Sequence, residues 1–226
     1  MSLRRGDLAA DDFEDALRQL QPGAGFQFVP AEAREASLQA TLAAAPPGDL
    51  WLFGYGSLMW APAIEHQGSA AGLLRGWHRR FCLWTHLGRG TIEAPGLVLG
   101  LERGGACRGL AFRIARDRAE EELRLVWRRE MLTGGYCPRW VSIETPEGPI
   151  RAVTFVINRD GARYAGRLCD ERTAATIAGA EGHLGSCRDY LEEAIRALDM
   201  LGIRDRYLDR LRRKVAACAV ADPRHP

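Results

Sequence analysis

From Leu50 to Ile157 the chain repeats one pattern, a short apolar run followed by a cluster of turn residues. The runs are Trp51 to Tyr55, Leu73 to Thr85, Leu97 to Leu101, Leu110 to Ile114, Arg139 to Ile143 and Arg151 to Ile157. Clusters such as Arg103-Gly104-Gly105 and Thr145-Pro146-Glu147-Gly148-Pro149 separate them, which is the signature of strands joined by turns. One helical stretch, Arg118 to Leu132, interrupts the series. After Asp170 the periodicity becomes helical, over Glu171 to Ala180, Cys187 to Leu201 and Ile203 to Val220. Strands in succession followed by a helical C-terminal part predict an α+β fold, a small mixed or antiparallel β-barrel with flanking helices.

Residues 1–48 have a different texture. Asp11 to Leu20 is a short amphipathic helix candidate ended by Pro22-Gly23, and Ala31 to Ala45 is an alanine-rich one stopped by Pro46-Pro47-Gly48. The expected organisation is an N-terminal helical extension, 1–48, laid against a main domain, 49–222. The extension carries no motif to which chemistry attaches.

Composition removes several function classes. A chain of 226 residues buries enough surface to need neither disulfides nor a structural metal. It has no apolar run of about 20 residues that would cross a membrane. Asp7, Asp11, Asp12 and Glu14 arrive before any apolar leader core forms, so no signal peptide is expected. Lys214 is the single lysine, and the arginines are interleaved with 29 acidic residues to a net charge of +2, not the one-sided basic surface of a nucleic-acid binder. Cys82, Cys107, Cys137, Cys169, Cys187 and Cys218 form no Cys-x-x-Cys pair. Metal ligation is not expected, and reduced thiols in the cytoplasm fit best.

Two features bear on chemistry. Gly54-Tyr55-Gly56-Ser57-Leu58-Met59-Trp60 closes the first strand with glycines that let main-chain N–H groups approach a ligand, or that simply make a tight turn over a buried tyrosine. The second is a misplaced acid. With Ala119 at zero on a helical wheel, Val126 falls near ~340°, Leu123 near ~40° and Trp127 near ~80°. Glu130 falls near ~20°, in the middle of that apolar stripe. Asp117 with Glu120 resembles a capping box for the helix. Burial and the negative end of the helix dipole both raise a carboxyl pKa and suit Glu130 to general-base work. The structural alternative is a glutamate paired with a buried arginine. Tyr136, after Gly134-Gly135, either reaches the same site or packs. Other candidates favour structure: Cys82 and His86 lie on a tryptophan-rich strand, Arg75, Arg79 and Arg80 read as a solvated strand face, and His183 as a loop residue.

Taken in order, these motifs resemble the ChaC family of γ-glutamylcyclotransferases. The residues that carry the likeness are Trp51 to Trp60, Gly76-Trp77-His78-Arg79-Arg80-Phe81-Cys82, Arg89-Gly90-Thr91, Pro95-Gly96, Trp127-Arg128-Arg129-Glu130-Met131, Gly134-Gly135-Tyr136, Asn158-Arg159 and Gly185 to Leu191. They span roughly Leu50 to Val220. The resemblance implies a γ-glutamylcyclotransferase-like barrel and a cytoplasmic lyase that needs no cofactor. Its small-molecule substrate would be glutathione, released as 5-oxoproline and Cys-Gly. It implies Glu130 as the catalytic acid–base and a cradle of Gly54, Tyr55, Gly56, Ser57, Leu58 and Met59, with Tyr136 beside it. Two other readings stay open at this level: cyclisation of another γ-glutamyl amine or peptide, and a non-catalytic regulatory binding protein.

Overall fold

The computed structural model describes residues 4–20 and 28–220. The Pro22-Gly23 helix stop expected from the sequence lies outside the described residues. Three helices come first, α1 (Arg5–Ala9), α2 (Phe13–Leu20) and α3 (Ala31–Ala43). Strands β1 (Leu50–Gly54), β2 (Ser69–Thr85) and β3 (Gly96–Ile114) follow, then helix α4 (Ala119–Glu130) and the hairpin β4 (Tyr136–Thr145) and β5 (Gly148–Ile157). Helix α5 (Asp170–Gly179), the two-residue strands β6 (Glu181–Gly182) and β7 (Gly185–Ser186), and helices α6 (Cys187–Asp199) and α7 (Arg206–Val220) complete the chain.

Strands β1 to β5 close into a barrel in the order β1-β3-β2-β4-β5. The β1–β5 pair, with Leu52 opposite Val153, is parallel, and the others are antiparallel. The mixed barrel is therefore the one expected from the strand-and-turn pattern. One turn is not. Arg103-Gly104-Gly105 does not reverse the chain, and the two strands expected on either side of it are a single strand, β3. The ladder steps from Arg75 opposite Ala106 to Trp77 opposite Arg103, so β3 carries one extra residue there. Gly104 and Gly105, at φ +102° and +67°, absorb it as a bulge.

Alternation along β1 divides the interior. Leu50 and Leu52 pack under α3 and α4 with Leu123, Val126, Trp127 and Phe155, where the Trp127 and Phe155 rings meet edge to face at 5.1 Å. Phe53 and Tyr55 join Phe81, Leu99 and the α6 residues Tyr190 and Leu191. The N-terminal helices lie on α4, where Leu8, Phe13 and Leu17 bury against Leu125 and Leu132. Asp117 is not the α4 cap. It sits inside a 3-10 turn, Arg116–Arg118, and the cap position falls to Arg118 with no side-chain bond. Glu120, Glu121 and Glu122 fill the first turn, where the helix dipole favours acids.

Candidate active site

Strand β1 delivers the glycine bend. Gly56 O accepts from Met59 N at 2.9 Å and Ser57 O from Trp60 N at 3.3 Å, which winds Ser57–Met59 into one 3-10 turn. The first N–H groups of such a turn have no partner within it. Gly54 has to be glycine for packing, because a Cβ there would stand 2.9 Å from Leu58 Cβ and 3.2 Å from the Leu58 carbonyl carbon. At Gly56 a Cβ would meet the Tyr190 hydroxyl at 3.0 Å.

The Tyr55 side chain turns into the barrel and its hydroxyl donates to Phe155 O at 2.7 Å. Its carbonyl accepts from Arg79 Nη1 at 2.8 Å. Arg79 also donates to Arg108 O and pairs with Asp205 at 3.0 Å, with its side chain only 2% exposed. Asp205 in turn accepts from Tyr207 N and Leu208 N at the start of α7, at 3.0 and 3.2 Å. The solvated face expected for Arg79 is therefore wrong: the position anchors the bend. Arg75 does lie on the surface, paired with Glu144.

Glu130 is the last residue of α4, with a side chain 12% exposed. It lines two hollows: a larger one of about 180 Å³ and a deeper one of about 20 Å³. Both are also bordered by Ser57, Tyr136 and Tyr190, and the deeper one reaches Tyr55, Gly56 and Leu58. Burial raises the Glu130 carboxyl above its ordinary range, and the Arg129 guanidinium, 3.1 Å away, opposes the rise. The Tyr136 hydroxyl donates to Leu99 O at 2.7 Å, and burial pushes the phenols of Tyr55, Tyr136 and Tyr190 up. The glutamate thus shares its hollows with phenols that stay protonated.

The fold brings together Tyr55, Gly56, Ser57, Leu58, Glu130 and Tyr136 from three separate segments. Gly54 and Met59 line neither hollow; Gly54 closes the bend and Met59 packs in the core. Several lining residues were not legible as site residues: Tyr190 on α6, Arg163 in the connection after β5, and Phe13 and Leu17 of the N-terminal extension. His183, read as a loop residue, forms the tip of the β6–β7 hairpin and lines the larger hollow. Cys82 is fully buried and its thiol is pushed up to about 12, the reverse of what a nucleophile needs.

A family model described as ChaC-like protein matches residues 50–218. The chain belongs to the ChaC-like family. This ChaC-like chain is 44% identical over 177 residues to the glutathione-specific γ-glutamylcyclotransferase of Escherichia coli K12, covering 77% of each chain. It is 35% identical to the glutathione-specific γ-glutamylcyclotransferase 1 of Danio rerio, over 63% of this chain and 75% of that one. Among solved structures, a yeast γ-glutamyl cyclotransferase specific to glutathione superposes with a TM-score of 0.70 at 21% identity, over 76% of this chain and 97% of its own, a likeness of fold.

Proposed function

We propose that this ChaC-like chain is a γ-glutamylcyclotransferase that cleaves glutathione to 5-oxoproline and Cys-Gly. The observation that carries the proposal is the position of Glu130: a desolvated carboxylate at the end of α4, sharing a hollow with the glycine bend of β1. The names of the relatives support the same substrate.

The nucleophile is already in the substrate. The α-amine of the γ-glutamyl arm attacks its own γ-carbonyl carbon and closes a five-membered lactam. The amide bond to cysteine then breaks, and its electron pair stays on the departing nitrogen. A pocket that folds the arm replaces a collision by a preset approach, which lifts the effective concentration of the amine. The amine arrives as ammonium and ends as the lactam N–H, so it gives up two protons, one before attack and one from the tetrahedral intermediate, while the departing amide nitrogen takes up two and leaves as the ammonium of Cys-Gly. Glu130 takes each proton from the attacking nitrogen and hands it to the departing one, a task suited to a carboxylate whose pKa is raised. Main-chain N–H groups at Gly56, Ser57 and Leu58 hold a substrate carboxylate or the oxygen that becomes negative in the tetrahedral intermediate. Tyr55 and Tyr136 wall the chamber, and Gly54 and Met59 fix the bend from behind.

Residues 49–222 form the catalytic unit in this reading, and residues 1–48 an extension that completes the cavity mouth through Phe13 and Leu17. All six cysteines are unpaired, which suits a reducing cytoplasm. Among the described residues no helix is long and apolar enough to cross a membrane.

The test is direct. Purified protein with reduced glutathione releases 5-oxoproline and Cys-Gly, detected by mass spectrometry. Glu130→Gln keeps the shape and removes the base, so kcat falls by ~100-fold or more while glutathione still binds. Turnover by the variant at the native rate would remove Glu130 from the mechanism.

A further inference from the structure

Three guanidinium groups line the larger hollow, and their charges are not equally spent. Arg89 is held by Glu193 at 2.7 Å and donates to Ser186 O at 3.2 Å. Arg129 lies 3.1 Å from Glu130 and donates to Ala61 O. Arg163 donates from Nε to Trp84 O at 2.8 Å and from Nη1 to Thr133 Oγ1, both neutral acceptors. Among the described residues no carboxylate lies within 4.0 Å of Arg163, and its Nη2 makes no hydrogen bond. The lining therefore holds one positive charge without a counter-ion. Burial pulls the Arg163 pKa below its ordinary value, as a partly desolvated and unpaired cation requires. The titratable groups nearby add no compensating negative charge: burial lowers His86 and His183, Arg163 itself lowers His86 further, and burial pushes the Tyr136 phenol up.

An unpaired guanidinium in a cavity wall is costly to keep unless an anion completes it. Arg163 lies outside the deeper hollow, whose walls are the bend, Glu130 and the phenols. With the γ-glutamyl arm folded there, the part of the substrate left in the larger hollow is the leaving dipeptide, whose free end is a carboxylate. We infer that Arg163 binds the terminal carboxylate of the departing Cys-Gly and thereby selects peptides ending in a free acid over γ-glutamyl amines and amides. Arg163 is fixed by two neutral bonds and keeps a donor free for the acid, a geometry that matches carboxylate recognition by arginine. The inference rests on the cyclotransferase reading for its substrate, and supplies what the bend and Glu130 leave open, the identity of the leaving group.

The experiment compares glutathione with its C-terminal amide, which differs only at the carboxylate. The native protein is expected to show a KM about 10- to 100-fold lower for the acid than for the amide, the worth of one charge-assisted contact. Arg163→Gln is expected to raise KM for the acid to near that of the amide, while the amide changes by a few-fold at most. Equal KM values for acid and amide with the native protein would overturn the inference, and this arm needs no variant to fold. Equal losses on both substrates in Arg163→Gln would also overturn it, since they would mark a structural role. Calorimetric titration of Glu130→Gln with the same two compounds reads carboxylate recognition without turnover. If the native protein releases 5-oxoproline from neither compound, the reaction assignment fails, whereas preference for the acid in calorimetry still upholds the Arg163 contact and its absence refutes it.

Discussion

The two glycines of the bend make a paired experiment, because a methyl added at each meets a different kind of neighbour. At Gly54 the new Cβ would lie 2.9 Å from Leu58 Cβ, 3.2 Å from Leu58 C and 3.3 Å from Met59 N. Carbon atoms prefer about 3.5–4.0 Å, and two of these neighbours are main chain, so the 3-10 turn itself must move. Overpacking of this kind costs about 1–3 kcal/mol. For a chain of this size each kcal/mol lowers Tm by roughly 2–4 °C, so Gly54→Ala is expected to lose about 2–12 °C. At Gly56, with φ −132° and ψ −133°, the close neighbour is the Tyr190 hydroxyl at 3.0 Å. Leu99 stands at ordinary distances of 3.7 and 3.8 Å. Relief there takes a few tenths of an ångström at the tip of one side chain, with no main-chain atom among the close neighbours. Gly56→Ala should therefore melt higher than Gly54→Ala. Yet its methyl enters a chamber of only about 20 Å³ beside Glu130, so kcat/KM for glutathione should fall at least ~10-fold through misplacement of the substrate. Thermal melts and 5-oxoproline release measured on both variants decide the matter. A Gly56→Ala protein that is fully active, or one that melts as low as Gly54→Ala, would refute the placement of the bend against the reacting group.

Two further outcomes follow from buried charge. The Glu130 pKa is raised in the folded protein, so its favourable contribution is complete below the ordinary carboxylate pKa and is lost as pH rises through the raised value. Glu130→Gln lacks this loss, so the difference between its Tm and the native Tm should move in the variant's favour as pH rises above the ordinary carboxylate range; melts with the same difference at every pH would contradict the buried carboxylate. Arg79→Met strips the partner from Asp205 and the donors from two carbonyls; breaking such a pair costs about 3 kcal/mol or more, a Tm loss of roughly 6–12 °C, together with reduced kcat as the Tyr55–Gly56 peptide is freed, and a variant with native Tm and kcat would show that the anchor is idle.

What could be read in advance was whatever depends on local pattern. Apolar runs set the strands, and a carboxylate at the centre of a helical stripe marked Glu130 before any contact was known. Reading failed where long-range pairing decides. Gly104-Gly105 looks like a turn because glycine frees φ, but only the opposing register of β2 tells that the freedom makes a bulge. Arg79 looks solvated because arginine usually is, and its burial comes from acceptors remote in sequence, at Tyr55, Arg108 and Asp205. Arg163, Phe13 and Leu17 reach the cavity from segments that carry no motif, and the Gly185 to Leu191 motif does not by itself tell that Tyr190 is its cavity-lining member.

Helix α4 itself shows why an inward acid alone does not make an active site. It turns two glutamates away from water, and Glu122, with none of its side chain exposed, is the more deeply buried. Glu122 lies in the first turn, where the helix dipole is positive, pairs with Arg5 from the N-terminal extension and accepts from Glu65 N at 2.9 Å. Its charge is met on several sides by the protein, and it lines neither hollow. Glu130 lies at the opposite end, where the dipole is negative, with one arginine beside it and open volume in front. The same residue type on the same helix therefore takes two roles: at one end the protein completes the carboxylate and the extension is tied down; at the other, completion is left to whatever enters the cavity. That asymmetry, rather than burial, sets the Glu122 ion pair apart from the base proposed at Glu130.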